Sequence, residues 1–158
     1  MTLPALLDLA SMDCEECYEF GRTIYAKEYL GGKERGSLKT HDGLDVVFYA
    51  DRYEHAFRTS PDRARLAYDK SKVAIERIER IYWIKELLLK SDAQFVCKEK
   101  TPPPRWKRAY YCYKHCYVVW LEPLKLVEGR PSGWKFSSAY PLPVSEFKRT
   151  THGFKSIP

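Results

Sequence analysis

No segment of the chain approaches the roughly 18 consecutive apolar residues that a membrane-spanning helix needs, so no membrane partner is expected. The chain also lacks a phosphate-cradling glycine loop, a helix with paired histidine ligands and a nucleophile elbow. These absences argue against the nucleotide-dependent, zinc-peptidase and α/β-hydrolase classes, and no cofactor is expected. Five cysteines are an odd number, which excludes a fully paired disulfide framework. The opening Met1–Leu7 has no basic start of a secretory signal and acids follow it at once. A cytoplasmic setting with reduced thiols is therefore expected. There is no internal repeat.

What is present suits one domain spanning 1–158. The 44% hydrophobic and 15% aromatic content is enough for a sizeable core. Lys plus Arg outnumber Asp plus Glu by 27 to 21, a net charge of +6 that favours an anionic partner. The charge is regional. Residues 1–20 carry Asp8, Asp13, Glu15, Glu16 and Glu19 and no base, whereas 98–114 carry six bases against Glu99. Twelve tyrosines suit either strands or base-stacking surfaces.

Leucine and aromatic spacings of three and four predict an acidic helical segment over 1–30, with a loop at Gly31–Gly36. Leu44–Ala50 reads as a strand entered through the turn His41-Asp42-Gly43. Ser60-Pro61-Asp62 carries the signature of a helix start. From about Asp69 to Lys90 a stripe of Ala74, Ile78, Ile81 and Leu88, widened by Ile75, Ile84 and Leu87, predicts one long helix. Pro102–Pro104 predict a stiff exposed connection. Ala93–Lys98, Arg108–Tyr113, Cys116–Leu121 and Trp134–Tyr140 read as strands, and the tail over 148–158 as basic and loose. The fold class is α+β: N-terminal helices packed on a mainly antiparallel sheet of about four or five strands.

Three groups of residues carry candidate chemistry. Cys14 and Cys17 have zinc-ligand spacing, and Cys112 with Cys116 could complete a site. Four residues apart on one strand, however, the second pair stands roughly 13 Å apart, so ordinary thiols and no metal are expected. His55 lies among Arg52, Arg58, Arg63 and Arg65, a cationic setting that suits it to act as a general base beside an anion. In Trp134–Tyr140, alternation places Trp134, Phe136 and Ser138 on one side and Lys135, Ser137 and Ala139 on the other.

The order of these parts resembles the barnase, EndoU, colicin D and RelE (BECR) group of small endoribonucleases, in their phage-associated and polymorphic-toxin forms. The resemblance rests on Tyr53-Glu-His55-Ala-Phe57, Glu79-Arg80-Ile-Tyr-Trp-Ile84, Tyr117-Val-Val-Trp-Leu121 and Trp134–Pro141, and covers a nuclease-like core over 44–145. It implies metal-independent cleavage of RNA by 2′-hydroxyl attack to a cyclic phosphate. His55, Arg80, Lys135 and Ser138 would be catalytic, with Arg58, Arg77, Ser137 and Tyr140 holding phosphate or RNA. The implied partners are RNA, tRNA and other structured RNA included, and a protein partner such as an immunity protein. Two other readings stay open: a non-catalytic nucleic-acid-binding module, and an interaction or inhibitor protein docking through its acidic N-terminal helix.

Overall fold

In the computed structural model of the chain, residues 2–59, 72–90, 94–100 and 105–152 are described, with 94–100 and 105 as backbone only. The stretches Ser60-Pro61-Asp62, with Arg63 and Arg65, and Pro102–Pro104 lie outside the described residues. The first helix, α1 (Cys14–Tyr25), starts where Asp13 and Glu16 close a capping box. The Asp13 carboxylate accepts the Glu16 N–H at 2.9 Å, and Glu16 returns the contact to the Asp13 N–H at 3.3 Å. Residues 3–12 are not helical, against expectation. Their backbone is taken up elsewhere: the Leu7 N–H donates to Glu79 O, and Trp83 Nε1 donates to Pro4 O. A π-helical turn, Ala26–Leu30, extends α1 and ends at Gly31, whose φ of 60° is the left-handed conformation glycine tolerates.

The expected loop at Gly31–Gly36 gives way at Arg35 to a strand, β1 (Arg35–Lys39), paired through the turn around Gly43 with β2 (Asp45–Tyr49). Gly36 permits this: a Cβ there would stand 1.9 Å from Tyr29 O. Next come α2 (Arg52–Phe57) and a two-stranded ribbon of β3 (Arg58–Thr59) and β4 (Lys72–Val73).

The single long helix expected from about Asp69 is instead α3 (Ile75–Ile78) and α4 (Ile81–Leu89). Residues 72–73 are bound into the ribbon, so the helix starts later. It breaks at Glu79–Arg80 because the Arg80 guanidinium takes Glu76 O at 2.7 Å, the acceptor an unbroken helix would give to the Arg80 N–H. The Glu79 carbonyl is taken by Leu7. The apolar stripe survives the break: Ile78, Ile81, Ile84, Leu87 and Leu88 are fully buried.

The remaining elements are β5 (Gln94–Lys100), β6 (Arg105–Cys112), β7 (Tyr117–Val127), β8 (Arg130–Pro141) and α5 (Val144–Thr151). The fold is α+β. The described strands form a six-stranded sheet, β1-β2-β8-β7-β6-β5, with β1 the addition that the loop reading missed. Every neighbouring pair is antiparallel except β2 and β8, which run parallel through Val46↔Trp134 and Val47↔Lys135. The helices from α1 to α4 bury one face of the sheet. On the other face α5 covers a smaller cluster of Ala109, Tyr111, Val118 and Trp120 with Phe147. Of the tail expected to be loose over 148–158, the described part is helix as far as Thr151, anchored by buried Phe147 and Thr151, and 153–158 lie outside the described residues. Among the described residues no helix is long and apolar enough to cross a membrane.

Asp42 fastens the β1–β2 turn to β6. Its carboxylate accepts from Thr40 at 2.6 Å, from Tyr110 at 2.7 Å and from the buried Arg108 guanidinium. Burial raises the Asp42 carboxyl pKa, but the hydrogen bonds from Thr40, Tyr110 and Arg108 and the Arg108 charge outweigh it, and the net direction is down.

Candidate functional site

Strands β2 and β8 pair over two residues and then part. Beyond Lys135 the β2-facing edge of β8 needs other partners, and Arg52 supplies one: its Nε donates to Ser137 O at 2.7 Å and its Nη2 to Ser137 Oγ at 2.9 Å. Ser137 is the extra residue of a β-bulge, since Trp120 pairs with Ser138 and Leu121 with Phe136. The bulge resets the strand's faces. Trp134, Phe136 and Ala139 share the main core, and Ser138 faces the side of Trp120, so the simple alternation expected for this strand fails after Phe136.

A cleft of about 350 Å³ opens where β2 ends, lined by Tyr49, Asp51, Arg52, His55, Glu122, Leu124, Lys135 and Phe136. Helix α2 puts Tyr53, Ala56 and Phe57 into the core. Arg52 and His55, three residues apart on another face of the same helix, reach the cleft together.

Glu122 lies between two cations, 3.8 Å from Arg52 Nη1 and 3.7 Å from Lys135 Nζ. All three side chains are about a third exposed. Ion pairs of that exposure contribute only about 0–1 kcal/mol, so the cluster does little for stability. It does bring together two groups that can move protons, His55 and Glu122, and two fixed positive charges, over apolar walls of Leu124 and Phe136.

Of the residues singled out in the sequence, His55 and Lys135 line this cleft, and Ser137 is one bond away through Arg52. The others do not meet there. Arg80 is held by Glu76 O, lies 3.8 Å from Glu79 and stacks on Trp83. Arg58 lies over the Tyr18 ring at 3.9 Å and pairs with Glu15 at 3.1 Å. Arg77 donates to Ala56 O and lies over the Tyr140 ring, whose hydroxyl accepts from Trp120 Nε1. These arginines bind helix to helix or helix to sheet. Glu122, Asp51 and Tyr49 were not foreseen. The available signal for Glu122 was a lone carboxylate directly after the apolar run Tyr117–Leu121.

Cys112 and Cys116 flank the β6–β7 turn rather than sharing one strand, which removes the premise of the 13 Å separation. Cys14 is exposed and Cys17 buried. Burial first, then Cys14, Asp13 and Glu16, push the Cys17 thiol pKa up, away from the reactive thiolate. Among the described residues no three His, Cys, Asp or Glu side chains gather to hold a metal ion. No protein-family model matches the chain, and neither a curated protein nor a solved structure matches it.

Proposed function

We propose that the chain is an endoribonuclease of the toxin-like, metal-independent kind, cutting RNA by attack of a 2′-hydroxyl on the adjacent phosphorus. One observation carries the reading: His55, Glu122, Arg52 and Lys135 line a single cleft. In the reaction the O2′–P bond forms and the P–O5′ bond breaks, leaving a 2′,3′-cyclic phosphate. Glu122, which the sequence reading did not include, accepts the 2′-hydroxyl proton, and His55, read from the sequence as the base, instead gives a proton to the departing 5′-oxygen. Arg52 and Lys135 hold the non-bridging oxygens, whose charge rises in the transition state. Arg80 and Ser138, which the family resemblance would make catalytic, have no part in this scheme. Arg52 takes the role of the arginine, and Ser137 positions it. The chain's net charge of +6 supports an RNA partner.

The test is incubation with mixed RNA in EDTA, followed by mapping of the new ends. Cyclic phosphate and 5′-hydroxyl ends are expected. RNA that is bound but left intact would assign the cleft to binding without chemistry.

A further inference from the structure

Strands β6 and β7 pair from Cys112↔Tyr117 only as far as Arg108↔Leu121, although both run on. Two residues further, β7 carries Pro123, which has no N–H to offer a neighbour. Strand β7 stays paired with β8 all the way to Val127↔Arg130. Past Leu121 the β7–β8 arm is no longer paired with β6, and a wedge-shaped groove of about 430 Å³ opens between it and the start of β6. Trp106 Nε1 donates to Gly129 O at 3.0 Å, near the tip of the arm, and this strut fixes both the gap and the indole plane.

The walls of the groove combine Trp106, Pro123 and Leu126 with the cations Lys107, Lys125 and Lys135. Leu126 is 54% exposed and gives the groove an apolar edge. The groove shares Glu122 and Lys135 with the cleft on the opposite flank of the arm, so the two form one surface. Its volume suits a single nucleotide, and lysines beside a fixed aromatic plane are the equipment of sites that take unpaired bases.

We propose that this groove is a nucleobase subsite for single-stranded nucleic acid. It holds an unpaired base on Trp106 while the backbone crosses the arm at Lys135 into the cleft. The assignment rests on the cleavage reading only for the direction in which the strand continues. A paired base has both faces stacked within its helix and cannot enter the groove, so single strands are selected over duplex.

The experiment measures binding of the full chain to a fluorescent 2′-O-methyl oligonucleotide, which has no 2′-hydroxyl to attack, as a single strand and as a duplex. The wild type is expected to favour the single strand. Trp106→Leu should weaken that binding by roughly fivefold to a hundredfold, the range for losing one stacked base, with little effect on duplex binding. Trp106→Phe, which keeps a ring to stack on but loses the bond to Gly129, should weaken binding less than Trp106→Leu does. Equal binding of duplex and single strand, or wild-type affinity in Trp106→Leu, would overturn the subsite, even if natural RNA is still cut. Trp106-dependent binding by a chain that leaves natural RNA whole would sustain the subsite and refute the cleavage reading. Failure to bind any nucleic acid would overturn both and leave the wedge to an apolar side chain of a protein.

Discussion

Replacing Asp42 by Asn keeps the shape of the β1–β2 turn and removes one charge. In the native protein that carboxylate faces an Arg108 side chain only 9% exposed, while its own side chain is 17% exposed on a turn whose backbone is open to water. Because Asp42 is partly open to water and Asn can still accept from Thr40 and Tyr110, the loss is that of one charge-assisted bond to a buried guanidinium, about 1–3 kcal/mol. For a chain of this length, with roughly 2–4 °C of melting temperature per kcal/mol, the loss is about 2–12 °C at neutral pH. The pH dependence has a definite sign. The Asp42 pKa is lowered on folding, so its contribution is complete above the ordinary carboxylate range and disappears as pH falls through the lowered value. Urea denaturation of wild type and Asp42→Asn should thus show a wide gap at neutral pH that narrows in acid as the wild type loses its charge. A gap below about 0.5 kcal/mol at neutral pH, the size of an ordinary surface substitution, would refute the claim that this network holds the turn to the sheet. So would a gap that does not change with pH.

Three further outcomes follow from the packing and the charges. Ile81→Ala should lower unfolding free energy by about 2–5 kcal/mol in the same denaturation assay, since Ile81 is fully buried in the main core. Gly36→Ala should cost about 1–3 kcal/mol, because the added methyl meets the Tyr29 carbonyl and the Leu30 backbone rather than a yielding side chain. Binding to single-stranded RNA should fall with salt at a log–log slope of about −3 if Arg52, Lys107, Lys125 and Lys135 each meet a phosphate. A flat titration would remove nucleic acid as the partner.

The parts of the fold legible in the sequence were those set by local periodicity. The stripe Ile78, Ile81, Leu88 is the buried face, and the strands of β5 to β8 follow their β-branched and aromatic runs. What escaped were features decided by a distant partner. The break at Arg80 depends on its guanidinium and on Leu7, and residues 3–12 lose their helix to Glu79 and Trp83. The bulge at Ser137 is fixed by pairing with Trp120 and Leu121, and it turned Ser138 away from Phe136. The site divided along the same line. His55 and Lys135 were legible because imidazole and ammonium groups announce themselves in a basic context. Arg58, Arg77 and Arg80 look equally promising in sequence, yet each is consumed by a carbonyl, a ring or a carboxylate. Glu122 was hidden because its importance comes from standing opposite Lys135 and within reach of Arg52.

Cleavage of a defined single-stranded RNA in EDTA by wild type, His55→Ala and Arg80→Ala, with folding monitored alongside, tests the central claim most directly. His55→Ala is expected to lose about 10²–10⁴-fold in rate, the usual consequence of removing a general acid or base. Arg80→Ala, whose guanidinium serves the helix break rather than the cleft, should cut within a few-fold of wild type once its stability loss is allowed for. Intact RNA with the wild type, or a His55→Ala protein that cuts as fast as wild type, would contradict the account.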